Sequence, residues 1–199
     1  MNEQANDSSP EEINEHLFLR ASQAYAKGQY EDARSLYTQL ARKGHEKAQI
    51  FVGWMHSKGL GGPVDTNIAV DWFKQASAGG SAQGMFYCGR QLEEIGNYSE
   101  AIEFIRGSAG KNYGPALCRL GIMYLAGRGV TENKEYALMY LSKAAMQGNV
   151  FAKRELAFNS ITTSNSFLRR MAGRILFGLA IAQSFFIALR DPFSEKIQC

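Results

Sequence analysis

An all-α fold of stacked helix pairs is what this chain of 199 residues predicts, on three observations. First, apolar residues recur at helical spacing. Leu117, Leu120, Met123 and Tyr124 form one face, and Ala137, Tyr140, Leu141 and Ala144 form a second. Second, Gly127-Arg128-Gly129 separates the two faces, because glycine reaches turn conformations that other residues adopt only at a cost. Third, the unit recurs. Small residues open the second helix of each copy at Ala33, Ala69, Ala101 and Ala137, and Leu40, Ala76, Ser108 and Ala144 follow at one fixed spacing. Gly44, Gly80, Asn112 and Gly148 then stand where each helix ends, as the residue types that best tolerate a left-handed C′ position. Ala48, Gly84, Ala116 and Ala152 begin each next unit. Small residues at these spacings let helices approach closely, and a period in the mid-thirties belongs to a helix-pair solenoid.

The residues at these positions resemble a known repeat. Leu120-Gly121-Ile122-Met123-Tyr124, Gly127-Arg128-Gly129-Val130 and Lys143-Ala144-Ala145-Met146-Gln147-Gly148 look like a Sel1-like repeat, a relative of the tetratricopeptide repeat. A second copy is similar at Val52-Gly53-Trp54-Met55, Gly59-Leu60-Gly61 and Lys74-Gln75-Ala76-Ser77-Ala78-Gly79-Gly80, with Gly62-Pro63 where the first has Val130-Thr131. Two further units, one around Gly28-Gln29-Tyr30 and one around Gly89 and Gly96-Asn97-Tyr98, have the shorter loop of an ordinary tetratricopeptide turn. The resemblance implies a right-handed superhelical solenoid of about four helix-turn-helix repeats, followed by a C-terminal hydrophobic helix. It covers residues 13–157.

Taken in order, residues 1–12 are polar and acidic and offer no apolar run for a signal peptide, so they read as a disordered lead-in with a helix start near Ser8, Ser9 or Pro10. The first unit follows on Ile13, Leu17, Phe18, Ala21, Ala24 and Tyr25, then on Ala33, Leu36, Tyr37, Leu40 and Ala41. The second pairs helices near 47–58 and 66–78, with Asp65 or Thr66 as N-cap. The third pairs 84–95 with 98–109, and the fourth 116–126 with 133–147. Residues 152–158 start a further helix that the polar Asn159-Ser160 is expected to end, and 158–166 read as a polar linker. Cys88 and Cys118 fall in first helices and read as small core residues.

Residues 167–190 form the hydrophobic helix, and 191–199, ending in Cys199, a mixed tail. Ile175 to Leu189 carries no charge, and Arg169, Arg170 and Arg174 precede it. Two readings follow. In one, 167–190 is a single-pass membrane anchor, with Arg174 snorkelling and the positive-inside rule holding the N-terminal repeats on the cytoplasmic face. In the other, the chain is cytoplasmic and soluble, and the helix caps the solenoid or mediates oligomerisation.

Chemistry is sparse. A net charge of +3, from 22 basic and 19 acidic residues, implies no nucleic-acid field. His16, His45 and His56 have no partner at metal spacing, and Gly59-Leu60-Gly61-Gly62 lacks the Lys-Ser/Thr of a phosphate loop. No catalytic, cofactor or metal site is assigned, and the chain is read as not an enzyme. The expected partners are proteins, held by polar positions on the first helices: Arg20, Gln23, Gln49, His56, Gln91 and Arg119. The function expected from sequence is a non-catalytic scaffold or adaptor tethered to a membrane by its last helix. The alternative is a soluble regulatory or assembly subunit.

Overall fold

The computed structural model describes residues 9–163 and 167–190. The described residues form helices α1 (Pro10–Ala26), α2 (Tyr30–Arg42), α3 (Glu46–Lys58), α4 (Thr66–Ala78), α5 (Ala82–Glu94), α6 (Tyr98–Gly110), α7 (Gly114–Ala126), α8 (Lys134–Met146), α9 (Val150–Thr163) and α10 (Phe167–Arg190). They contain no strand. The chain divides into two compact units, residues 1–91 and 92–199, with the division inside α5.

Helix starts follow from side chains that satisfy orphan backbone N–H groups. The Ser9 hydroxyl accepts from the Glu12 N–H at 3.2 Å while the Glu12 carboxylate accepts from the Ser9 N–H at 2.9 Å, a reciprocal capping box. Helix α1 therefore begins at Pro10, one of the starts the sequence offers, so 10–12 of the expected lead-in are helical; residues 1–8 lie outside the described residues. Asp65 Oδ1 accepts from the Ile68 N–H at 2.9 Å, as the sequence predicts, and Asn133 Oδ1 does the same for Tyr136. His45 also caps a helix, its Nδ1 accepting from the Ala48 N–H at 3.2 Å. The stops are equally regular: Gly44, Gly80, Asn112 and Gly148 all have positive φ, Asn112 being the one non-glycine among the described residues to do so.

In the first unit, α1 packs on α2, α2 on α3 and α3 on α4. Tyr37 anchors this core. Its ring stacks on Phe51 at 5.0 Å, meets Phe18 edge-on at 5.3 Å, and its hydroxyl shares a 2.9 Å hydrogen bond with Ser22. Within the α3–α4 pair, a Cβ added at Gly53 would lie 2.7 Å from the Phe73 ring and 3.1 Å from the Ala69 carbonyl. In the second unit, Gly121 repeats this contact against Leu141 and the Ala137 carbonyl. The small residues of the repeat thus mark close helix approach, the physical content of the sequence pattern. Cys88 and Cys118 are fully buried.

The loop lengths also have a structural reason. Residues 59–65 and 127–133, the two long loops, lean back on the first turn of the preceding second helix. Gly61 sits against the Tyr30 backbone, and a Cβ at Gly129 would come 2.6 Å from the Tyr98 carbonyl. Both glycines have φ near +70°, at +75° and +69°. Each long-loop repeat therefore clasps the short-turn repeat before it.

Two expectations change at the C-terminal side. Helix α9 does not stop at Asn159 but runs to Thr163, so 158–163 are helical and only 164–166 of the expected linker fall outside the described residues. The helix penalty of Asn and Ser is about half a kcal/mol each, and packing of α10 along α9 outweighs it. Phe158 and Phe177 rings lie 6.3 Å apart across that contact. Second, α10 is the partner helix of a fifth pair. Gly173, Phe177 and Ala180 repeat the small–large–small register of Ala137, Leu141 and Ala144, and like them face inward. The tail 191–199 lies outside the described residues.

Candidate interaction surfaces

The repeat register sorts the six polar positions predicted from sequence. Arg20 and Gln23 are exposed and line a cleft of about 440 Å³ in the first unit with Lys27, Gln29, Asp32 and Ser35. Gln49 and Gln91 are buried, which corrects the expectation that they lie on the surface. Their register explains it: Leu17, Met85 and Leu117 hold the position of Gln49, and Met55 and Met123 that of Gln91. The Gln49 side-chain amide donates to the Ala41 carbonyl at 3.2 Å, tying α3 to the end of α2. Its polarity serves a helix end and not a ligand.

Arg119 is also committed to structure. Its guanidinium donates from Nε and Nη2 to the two carboxylate oxygens of Glu93, at 2.6 and 3.0 Å, and Glu93 is 6% exposed. This bidentate pair joins the last turn of α5 to α7 in the second unit. His56 is half-buried beside Arg34 and Asp65. Burial holds its pKa below the ordinary value of 6.5, the Arg34 charge lowers it further, and Asp65 opposes the shift. Among the described residues, no three His, Cys, Asp or Glu side chains gather as a metal site requires.

One surface that the sequence reading missed is a cleft of about 710 Å³ in the second unit. It is lined by Arg106 of α6, Tyr124 and Gly127 of α7 and its end, the loop to Asn133, and Tyr136 of α8. The Tyr124 ring lies 5.4 Å from Tyr136 and stacks on Tyr140 at 5.8 Å. Arg106 Nη2 reaches the Tyr124 hydroxyl at 3.5 Å and its Nη1 the Glu103 carboxylate at 3.3 Å. Tyr136 stays 52% exposed. Three helices contribute, which hid the site in the sequence; the visible signal was the Tyr136/Tyr140 pair one helical turn apart. At the same register the first long-loop repeat has Thr38, His56 and Ile68. Trp72 holds the place of Tyr140, so what the second copy adds is the Tyr124 and Tyr136 rings beside Arg106.

The other surface is on α10, the helix that the sequence marks as the hydrophobic one. One face, with Gly173, Phe177, Ala180, Ser184 and Ile187, turns inward. Outside it, Ile175 is 61% exposed, Leu179 62% and Phe186 65%, with Leu176, Ile181 and Phe185 also exposed. Register again gives the meaning. The places of Ile175, Leu179 and Ala182 are Ser35, Gln39 and Arg42 in α2, Asp71, Gln75 and Ala78 in α4, and Glu103, Gly107 and Gly110 in α6. All of these are exposed, so α10 is apolar on the side that the earlier helices give to water. In α8 the same places already hold Met139 and Met146 around Lys143. The segment Met171–Ala188 is long and apolar enough to cross a membrane, with mean hydropathy 1.6.

A family model for the Sel1 repeat matches residues 46–81 and 114–149, the two long-loop copies. Among solved structures, the Sel1 repeat protein from Oxalobacter formigenes superposes with a TM-score of 0.71 at 24% identity, covering 87% of this chain and 77% of that one. PA5086 from Pseudomonas aeruginosa gives 0.63 at 22% identity, over 92% of this chain and 71% of its own. The immunity protein Pa5087 from the same organism gives 0.60 at 22%, over 88% and 67%. Likeness at these identities establishes a shared helical-repeat fold.

Proposed function

We propose that this Sel1-repeat protein is a non-catalytic protein–protein interaction scaffold, attached to a membrane by the exposed face of α10. The observation that carries the scaffold reading is the cleft around Tyr124. It offers an exposed tyrosine ring, a guanidinium and loop backbone groups on a rigid three-helix base, and Tyr and Arg are the residue types that dominate protein interfaces. At the places of Arg106, Tyr124 and Tyr136 the other copy has Thr38, His56 and Ile68, so the guanidinium and the exposed tyrosine are not repeated there. A polypeptide segment fits this cleft, its side chains against the rings and its carbonyls or carboxylates toward Arg106.

Membrane attachment rests on α10, whose outward register carries large apolar residues at places where α2, α4 and α6 have exposed polar or small ones. The test uses the full-length chain. Proximity cross-linking in cells is compared between the native protein and Tyr136→Ser combined with Arg106→Ala, two changes at exposed residues, with folding checked by circular dichroism. Loss of a discrete cross-linked partner supports the cleft. An unchanged partner set removes it. Fractionation with salt and alkaline carbonate washes reads the second part: recovery wholly in the soluble fraction would leave a soluble assembly subunit as the reading.

A further inference from the structure

We infer that α10 meets the membrane lying flat in its surface, folded against α9, and does not cross it. This rests on the membrane reading above and specifies its geometry. Three observations carry it.

The first is the width of the exposed apolar surface. At 100° per residue, the side chains from Ile181 through Phe185, Met171, Ala182, Ile175, Phe186, Leu179 and Ala172 to Leu176 sweep an arc of roughly 220°. Among residues 171–188, only Arg174 and Gln183 interrupt it with polar groups. A packed partner helix, including one from a second copy of this chain, needs a stripe of about 100°. Fluid acyl chains follow a convex surface of any width. Hydrocarbon is the occupant that covers the whole arc.

The second is the face that the arc leaves out. Gly173, Phe177 and Ala180 sit inward in the same register that seats α2, α4 and α8 in their pairs. Helix α10 is thus bound into the fold as the second helix of a pair, and its partner α9 is itself packed on α8. The third is the charge on α9. Lys153, Arg154 and Glu155 lie within it, Arg154 Nη2 being 2.9 Å from Glu155 and its guanidinium 4.7 Å above the Phe151 ring. If α10 crossed the bilayer with α9 beside it, these charges would enter hydrocarbon, where each is costly. If α10 crossed alone, it would strip the cover from α9, whose buried Ala157 stands at the register place of Gly53 and Gly121, the residues that meet the second helix of their pair. Lying flat avoids both. The arc sinks into the acyl boundary, α9 stays above it as the polar layer an interfacial helix requires, and Arg174 at the rim of the arc reaches anionic headgroups.

The experiment uses the full chain with Cys199→Ser and a single environment-sensitive dye attached through Ile175→Cys, Leu179→Cys or Phe186→Cys. Cys88 and Cys118 are fully buried and stay unlabelled. The protein is mixed with vesicles of equal parts phosphatidylcholine and phosphatidylglycerol, floated, and probed with depth-graded lipid quenchers. A C-terminal tag is then exposed to a site-specific protease outside the vesicles. The expected result is flotation, one shared shallow depth for all three positions, and complete removal of the tag. Replacing Ile175, Leu179 and Phe186 together by Ser should lower partitioning about tenfold or more, given the apolar area removed, with helicity by circular dichroism unchanged. A depth that changes steadily from 175 to 186, with the tag protected, shows a spanning helix; it overturns the flat geometry and leaves membrane attachment standing. No flotation, with the protein folded, defeats attachment itself. A concentration-dependent dimer that hides the dyes from lipid assigns the face to a second copy and overturns the inference.

Discussion

The first and last helix pairs are built on one register and finish it in opposite ways. In α1, Arg20 and Gln23 stand where the inner first helices carry Val52, Cys88 and Leu120, or Met55, Gln91 and Met123. Those inner residues are all buried. The first pair has therefore exchanged core residues for polar ones on the side that inner repeats bury, as a capping repeat does. The last pair has done the reverse. It keeps its inward face and turns the water-facing side of α10 apolar. The contrast shows that burial is assigned by register and not by residue type, so a polar end ends the stack while an apolar outer face calls for another phase or partner.

Exchanging residues across the register gives the largest expected effect. Val52 is 0% exposed, so Val52→Arg places the residue of the first pair into an inner one. An unpaired buried charge should destabilise the first unit by on the order of 4 kcal/mol or more, read by urea unfolding. The reciprocal Arg20→Val should change stability by less than about 0.5 kcal/mol. Similar losses from both would mean that the end of the stack is not the solvated surface described. Next comes a matched pair of truncations at one register place. Tyr37→Ala removes a ring held by Phe18, Phe51 and Ser22 and should cost ~3–5 kcal/mol. Phe177→Ala, at the same place in α10 but half-buried, should cost about half as much. If it costs as much as Tyr37→Ala, α10 is a core element first and a contact surface second.

A smaller effect is expected from the triple change of Ile175, Leu179 and Phe186 to Ser. These side chains are mostly exposed, so chemical denaturation without lipid should shift by no more than about 1 kcal/mol. A cooperative loss of several kcal/mol would show that the face is covered within the chain.

How much of this was legible in the sequence varies by kind of information. The repeat positions, the left-handed stops and the Asp65 cap could be read directly, because each depends on local conformation and fixed spacing. Sequence pattern alone ends helix α9 too early, since Asn159 looks like a break until the packing of α10 is known. The fifth pair was also in reach: Gly173, Phe177 and Ala180 repeat the register, but the apolar run around them masked it. Among the candidate binding residues, polarity alone misled for Gln49 and Gln91, which the register assigns to the interior. The Tyr124 cleft and the Glu93–Arg119 pair needed three dimensions, because their members come from separate helices.

The smallest effect concerns two arginines at one register place, Arg34 in α2 and Arg174 in α10, where α4 and α6 have Val70 and Ile102. Arg34 lies under the long loop, with its guanidinium against the position a Cβ on Gly62 would take, and it lowers the pKa of the neighbouring His56. Arg174 is exposed. The sign of the linkage follows from the depressed value. Below pH 6.5 the unfolded chain binds the His56 proton more readily than the folded one does, so stability falls as pH drops through 6.5 and levels off below the lower, folded pKa. Arg34→Met removes one of the two causes. The His56 ring resonance, followed by NMR, should then titrate at higher pH, and the acid-side loss of stability should shrink. Burial remains, so the pKa should stay below the ordinary histidine value. Arg174→Met should leave the titration where it was. A His56 titration that ignores Arg34 would mean that burial alone sets it, and that the two arginines differ in exposure without differing in electrostatic consequence.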